Sequence, residues 1–354
     1  MNRTGKVAFY LIVVALILEF ILLQDLPFFW DGVSKAYRAH WIYTHDFSSL
    51  IVPTEYNSGH PPLWITSIAV FWALFGKTVS SARLLLLLVN LGAFYQLYHL
   101  CRKSFAPGVS LLFFLLVAID PTLMAQTTIL NNDMLLLFFL LLALNSLWAH
   151  KWGWYNLAIT GLLLTNLRGI YCTVALVLIH IAFVRFTAFE FRRKMLWAYG
   201  IGVGLFVGFL VAQYHELGWV LISKNENYAA HREAAGFGRI AKNAAAYIKN
   251  VLDFGRIFLW VPLVLLLVRH FRNKLTDLTV ASQRTLIALT IFLLVFFLGF
   301  VPFSNPMGPR YLMICFVLAA ILFVNLIQIN SIGRKLKNGL VALIVMAFLS
   351  GHFW

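Results

Sequence analysis

Apolar residues run along this chain in blocks close to the 17 to 25 residues that a helix needs to cross a bilayer, and polar residues are confined to the gaps between them. The blocks fall near 7–24, 83–100, 107–122, 134–149, 154–167, 170–185, 196–213, 256–268, 285–303, 311–329 and 338–354. In lipid every backbone N–H and C=O must be satisfied within the chain, so the blocks are predicted to be helices. The pattern therefore predicts an all-α polytopic membrane protein of about eleven transmembrane helices. Residues 62–76 are apolar but short, and read as a surface-lying or re-entrant segment of the first outer loop. The stretch 154–186 reads as two helices meeting in a tight turn at Arg168-Gly169. No small-residue cleavage site precedes Gln24-Asp25, so the first block is predicted to be a retained helix rather than a cleaved leader.

Composition agrees with this pattern. Hydrophobic residues make up 61% of the 354 and charged residues 12%, against roughly 25% charged in an ordinary soluble domain. The net charge of +15 is not the footprint of a nucleic-acid binder, because the basic residues stand in short clusters between apolar runs. Arg192-Arg193-Lys194 and Arg334-Lys335-Leu336-Lys337 have the form of cytoplasmic anchors. Placing Arg3/Lys6, Arg102/Lys103, Lys151, Arg185 to Lys194, Arg269 to Arg284 and Arg334 to Lys337 on one side fixes the parity of the helices. The other, non-cytoplasmic side then holds two long loops, 25–82 and 214–255, and nearly all the acids: Asp25, Asp31, Asp46, Glu55, Asp120, Asp133, Glu216, Glu226, Glu233 and Asp253. Glu190 and Asp277 fall on the cytoplasmic side, and Glu19 lies within the first helix. The chain reads as one integral inner- or plasma-membrane domain, with a catalytic-type module over 1–255 and C-terminal helices over 256–354. Cys101, Cys172 and Cys315 lack any CxxC spacing and read as small apolar side chains. No His spacing reads as a metal site, His40 to His45 included.

Several outer residues have the makings of chemistry. In Trp30-Asp31-Gly32-Val33-Ser34-Lys35-Ala36-Tyr37-Arg38, a carboxylate just past the first helix is followed by two cations at near-helical spacing. That is the arrangement of a base beside an anion-binding pair, or of a solvated interfacial segment. The first loop ends Gly59-His60-Pro61-Pro62, where the prolines set an extended entry into a helix and His60 stands at the interface. Asp120-Pro121 closes one apolar block and Asn131-Asn132-Asp133 stands immediately before the next, where capping is the default role of Asn and Asp. Arg168 is a lone guanidinium between two apolar helices, and such a group calls for water, a partner or a ligand. Arg310 heads an apolar helix, where its charge opposes the dipole and a bound anion would relieve both. The second long loop, which carries Glu226, Tyr228, His231 and Arg232, reads as a helical lid over a cavity.

The order of Trp30-Asp31, Gly59-His60-Pro61-Pro62-Leu63-Trp64, Phe75-Gly76, Ala82-Arg83-Leu84, Asn132-Asp133-Met134-Leu135 and Pro309-Arg310-Tyr311-Leu312 resembles the polyprenyl-phosphate-sugar-dependent glycosyltransferases of the GT-C superfamily. The branch most resembled holds the protein O-mannosyltransferases and the lipid A aminoarabinose transferases. The resemblance implies a membrane enzyme that takes a sugar from a polyprenyl-phosphate-linked donor and passes it to a lipid, glycan or protein acceptor on the non-cytoplasmic face. It implies Asp31 as the base that takes the acceptor's proton. The phosphate would fall to His60, Lys35, Arg38, Arg168, Arg310 and Tyr311, and Asp133 and Glu226 would be further acidic positions. Nothing in the sequence requires a metal, although a divalent ion is compatible with the chemistry. The competing class is a secondary transporter or lipid flippase, in which Arg168 and Glu19 would serve the substrate or protons.

Overall fold

Residues 3–104, 116–229, 233–272, 278–304, 308–330 and 332–353 are described in a computed structural model. The helices are α1 (Arg3–Leu23), α2 (Asp31–Thr44), α3 (Leu63–Phe75), α4 (Val79–Ser104), α5 (Pro121–Thr128), α6 (Asp133–Trp148), α7 (Trp152–Thr165) and α8 (Arg168–Phe186). They continue as α9 (Lys194–Leu217), α10 (Glu226–Ala229), α11 (Phe237–Leu252), α12 (Ile257–Arg272), α13 (Val280–Phe300), a 3-10 turn (Pro309–Leu312), α14 (Met313–Ile329) and α15 (Arg334–Gly351). Among the described residues no strand forms; Ala234 and Phe303 make an isolated antiparallel bridge.

Among the described residues, six helices are long and apolar enough to span a membrane by length and composition. Two bent pairs, α5 with α6 and α11 with α12, would bring the total to eight. The expected eleven are not reached, for identifiable reasons. The block at 107–122 lies largely outside the described residues. The block at 134–149 is the second arm of a chain that turns through 118° at residues 129–132, and the block at 154–167 becomes a helix of 14 residues. The tight turn at Arg168-Gly169 is present: the Asn166 carbonyl accepts from Gly169 N and its Oδ1 from Arg168 N. A Cβ on Gly169 would meet the Leu162 backbone carbonyl, so only glycine lets α7 and α8 close together there.

Segment 25–82 is more ordered than a loop. It folds into α2, the short α3 expected at 62–76, and the start of α4. Segment 214–255 likewise contains the end of α9, the single turn α10 and the amphipathic α11.

Helix α14 is apolar all round and almost wholly buried, as a helix without a polar face must be. It forms the centre of the molecule and sets Arg310 and Tyr311 at one end of it. Helix α1 is peripheral, with Leu11, Leu18 and Leu22 exposed. A buried ion pair ties α5 to the turn before α12. Arg256 donates from Nε to Asp120 Oδ2 (2.9 Å), and from Nη2 to Asp120 Oδ1 (2.7 Å) and Thr122 Oγ1 (2.6 Å). Its guanidinium carbon lies 3.7 Å from the Phe316 ring centre. Asp120 also caps α5, accepting from Thr122 N and Leu123 N, as its position before Pro121 predicts.

Candidate functional site

Helix α2 carries the first part of the site. Asp31 is its first residue, and Lys35 and Arg38 follow at the i, i+4 and i+7 positions that share one helical face. Trp30, just before it, is held at φ 43°, a left-handed conformation that costs a tryptophan energy and fixes the chain's entry into the helix. Arg38 is buried and fully engaged. Its Nε donates to Ser34 O (3.0 Å) and its Nη2 to Ser34 Oγ (2.7 Å), while Nη1 bonds Ser58 Oγ. Lys35 is buried too, and among the described residues no carboxylate lies within ion-pair distance of it. Burial, reinforced by the Arg38 charge, holds its ammonium well below the usual lysine range, against the opposing pull of Asp31 and Asp133. Such a group gains most from an incoming anion.

The loop before α3 supplies His60. Gly59 sits at φ 74°, where a residue with a Cβ would be strained. The Asn57 side chain holds the turn, accepting from Gly59 N (2.7 Å) and donating to Val52 O (3.0 Å).

The centre of the site is a carboxylate and guanidinium network. Arg310 Nη1 lies 2.5 Å from Asp31 Oδ2, and its Nε lies 3.8 Å from Asp133 Oδ2. Arg168 pairs with Asp133 Oδ1 and stacks over the Tyr311 ring, 4.2 Å from its centre. Asn131 Nδ2 bridges the two acids, at 2.7 Å from Asp133 Oδ2 and 3.3 Å from Asp31 Oδ2. Both bonds to Asp31 fall on Oδ2, so Oδ1 has no partner among the described residues. Burial alone would raise the pKa of Asp31. The charge and hydrogen bond of Arg310, with the charges of Lys35 and Arg168, outweigh it and hold the carboxyl below its ordinary value.

These residues line one cavity of about 1420 Å³, whose wall includes Asp31, Lys35, Arg38, His60, Arg168, Arg310 and Tyr311. Leu221, Ile222 and Tyr228 of the second long loop also line the cavity. Tyr228 OH lies 3.3 Å from Ser34 Oγ, and Ser223 Oγ and Asn225 Nδ2 donate to carbonyls of residues 54–57. His231 and Arg232 of that loop lie outside the described residues. Among the described residues, no three His, Cys, Asp or Glu side chains are grouped as a metal site.

Of the residues singled out from sequence, Glu226 is not brought in: it is exposed on α10 and absent from the cavity wall. Asp133 is almost wholly buried and makes no side-chain cap for α6, so pairing with Arg168 replaces the capping role that sequence suggests. Arg168 and Arg310 are not isolated cations, since each already has a carboxylate. Asn131 and Ser34 went unrecognised as site residues, because their bonds reach residues 100 and 194 positions away. The adjacency of Asn131 to Asp133 was the available signal.

Comparison with known proteins points the same way. Residues 59–215 match the family model of the dolichyl-phosphate-mannose-protein mannosyltransferases. A search of curated proteins returns no match. Among solved structures, ArnT from Cupriavidus metallidurans bound to undecaprenyl phosphate superposes with a TM-score of 0.66 at 15% identity, over 96% of this chain. ArnT from the same organism in the apo state superposes with a TM-score of 0.63 at 15% identity, over 94% of this chain. The chain spans 62% and 61% of the length of those two structures. In its helical architecture the chain is thus similar to ArnT, and over residues 59–215 it is similar to the dolichyl-phosphate-mannose-protein mannosyltransferases.

Proposed function

We propose that this protein is a membrane glycosyltransferase that moves a sugar from a polyprenyl-phosphate-linked donor to a hydroxyl acceptor, by an inverting displacement on the non-cytoplasmic face. The observation that carries the reading is the single cavity in which Asp31 stands beside Lys35, Arg38, His60, Arg168 and Arg310. The solved ArnT bound to undecaprenyl phosphate supports a polyprenyl-phosphate ligand for a fold of this kind. The sorting of acids and bases along the sequence supports the face.

In this mechanism Oδ1 of Asp31 takes the proton of the acceptor hydroxyl as its oxygen bonds to the anomeric carbon. The bond from that carbon to the donor phosphate breaks, and the phosphate leaves with the electron pair. Lys35, Arg310 and Arg168 stabilise the charge growing on the phosphate, an effect worth about 3 to 4 kcal/mol per well-placed donor. Arg310 has a second part. Without substrate it saturates Asp31 Oδ2 and weakens the base; a phosphate that competes for the guanidinium frees the carboxylate and raises its basicity when the donor is in place. Asp133, held by Arg168 and Asn131, keeps the arginines aligned.

The test is a transfer assay with purified protein, a radiolabelled polyprenyl-phosphate sugar and membranes from cells lacking the gene. Asp31→Asn is nearly isosteric and cannot take the proton, so turnover should fall by about 100- to 10,000-fold. A variant that transfers at the parental rate ends the assignment, and a parental protein that transfers no sugar ends the reading.

A further inference from the structure

The cavity wall is sorted by chemistry. The cations at residues 35, 38, 168 and 310, with His60, belong to one set of elements. A second stretch, built from α1 and α5, presents Glu19, Gln126 and Thr128. Glu19 is an intramembrane carboxylate on an otherwise apolar helix, and such a group is costly there unless it serves a ligand or a partner. It does not face lipid. Ala8, Ile12, Leu16 and Glu19 repeat at helical spacing on the inward stripe of α1, while Leu18 and Leu22 are exposed.

Its partners use little of its capacity. Thr127 Oγ1 lies 3.0 Å from Glu19 Oε2 and 2.6 Å from Met124 O, so one hydroxyl proton is divided between two acceptors. Arg83, whose charge acts on Glu19, donates to Thr128 O, Leu26 O and Pro27 O, and makes no ion pair with Glu19 within 4.0 Å. A carboxylate offers about four acceptor sites, so most of those on Glu19 remain for the cavity. The second, independent observation is Gln126. It is only 6% exposed, lines the same wall, and its Oε1 accepts no hydrogen bond among the described residues. A half-turn of the amide presents either end to a ligand.

We infer that Glu19 and Gln126 form the acceptor subsite, and that the acceptor carries a polyhydroxyl head group whose neighbouring hydroxyls donate to them. This rests on the glycosyltransferase reading above. The wall suits hydroxyl donors and repels a phosphate, so it complements the cation-lined side rather than duplicating it. An inverting displacement needs the attacking hydroxyl on the side of the anomeric carbon opposite the departing phosphate, and this wall carries none of the phosphate-binding cations. It is also near enough. Thr127 and Asn131, which bonds Asp31, are four residues apart, at most about 14 Å along an extended chain. An acceptor head group held at Glu19 therefore occupies the same cavity as Asp31.

The experiment separates the two substrates. Initial rates are measured with the radiolabelled donor and membranes of the deletion strain, each varied in turn, for the parent, Glu19→Gln, Glu19→Asp and Gln126→Ala. Losing one hydrogen bond from a charged acceptor should raise the acceptor KM of Glu19→Gln about tenfold, with Gln126→Ala smaller and Glu19→Asp partly restored. Donor KM should stay within about twofold. An unchanged acceptor KM in both Glu19→Gln and Gln126→Ala overturns the inference. So does a rise confined to donor KM, which would move these residues to the donor. If Glu19→Gln does not fold, Gln126→Ala decides alone. A parent that transfers nothing defeats the reading beneath, and is told apart from these results.

Discussion

Two aspartate and arginine pairs in this protein share short contact geometry and differ in everything around them. Asp120 and Arg256 are 6% and 0% exposed, and every oxygen and most nitrogens of the pair are taken up by the cap of α5, by Thr122 and by the Phe316 face. Asp31 and Arg310 are 34% and 30% exposed, open on the large cavity, and leave Asp31 Oδ1 unoccupied among the described residues. The first pair has nothing left to offer a ligand. Breaking it strands a buried charge, so it serves stability. The second pair is weakly stabilising because water and substrate reach it, and each partner can be drawn away by a competing ion. Surroundings, and not pair geometry, separate the pair that serves stability from the pair proposed for chemistry.

The sharpest way to break this comparison is to cross the substitutions. Asp31→Asn should lose the 100- to 10,000-fold given above while its melting temperature stays near the parental one. Arg256→Ala should do the reverse. It removes the partner of a buried carboxylate, costs about 3 to 5 kcal/mol of stability, and leaves turnover per folded molecule close to parental. Measured side by side by thermal unfolding and by transfer rate, the two should fall on opposite axes. Arg256→Ala with parental stability would show that the buried pair is dispensable.

Smaller effects sharpen the chemical pair. Arg310→Gln and Arg168→Gln each remove one cation from the phosphate side, and should lower kcat by about 100-fold while the protein remains folded. Unchanged kinetics in both would leave the donor phosphate without the charges assigned to it. The least of the effects lies in pH. Because the Asp31 carboxyl is held below its ordinary value, it stays ionised at every pH above that lowered value, and its contribution fades only as pH falls through it. The acid limb of kcat/KM should therefore lie below the usual carboxylate range near 3.9, and the parent's profile should stay flat from neutrality through that range. Arg310→Gln removes the largest of the lowering influences, so its acid limb should move upward. A limb that does not move would separate Asp31 from the titration.

Much of this was legible before any tertiary contact was known. Block length and the scarcity of charge determined that the chain is a helical membrane protein, because backbone in lipid has no other way to satisfy its hydrogen bonds. The turn at Arg168-Gly169, the short α3 and the cap at Asp120 followed from local chemistry. So did the shared face of Asp31, Lys35 and Arg38, since i, i+4 and i+7 positions coincide on any helix. The sequence did not reveal that 25–82 contains a 14-residue helix, because α2 has no net apolar character and its buried face, which includes Lys35 and Arg38, packs against α3. Nor could it pair the charges. Arg310 meets Asp31 across 279 positions and Arg256 meets Asp120 across 136. Which arginine lies buried against an aromatic ring and which faces a cavity depends on where α14 comes to rest among its neighbours. That is a property of the packed helices, and no local window of sequence carries it.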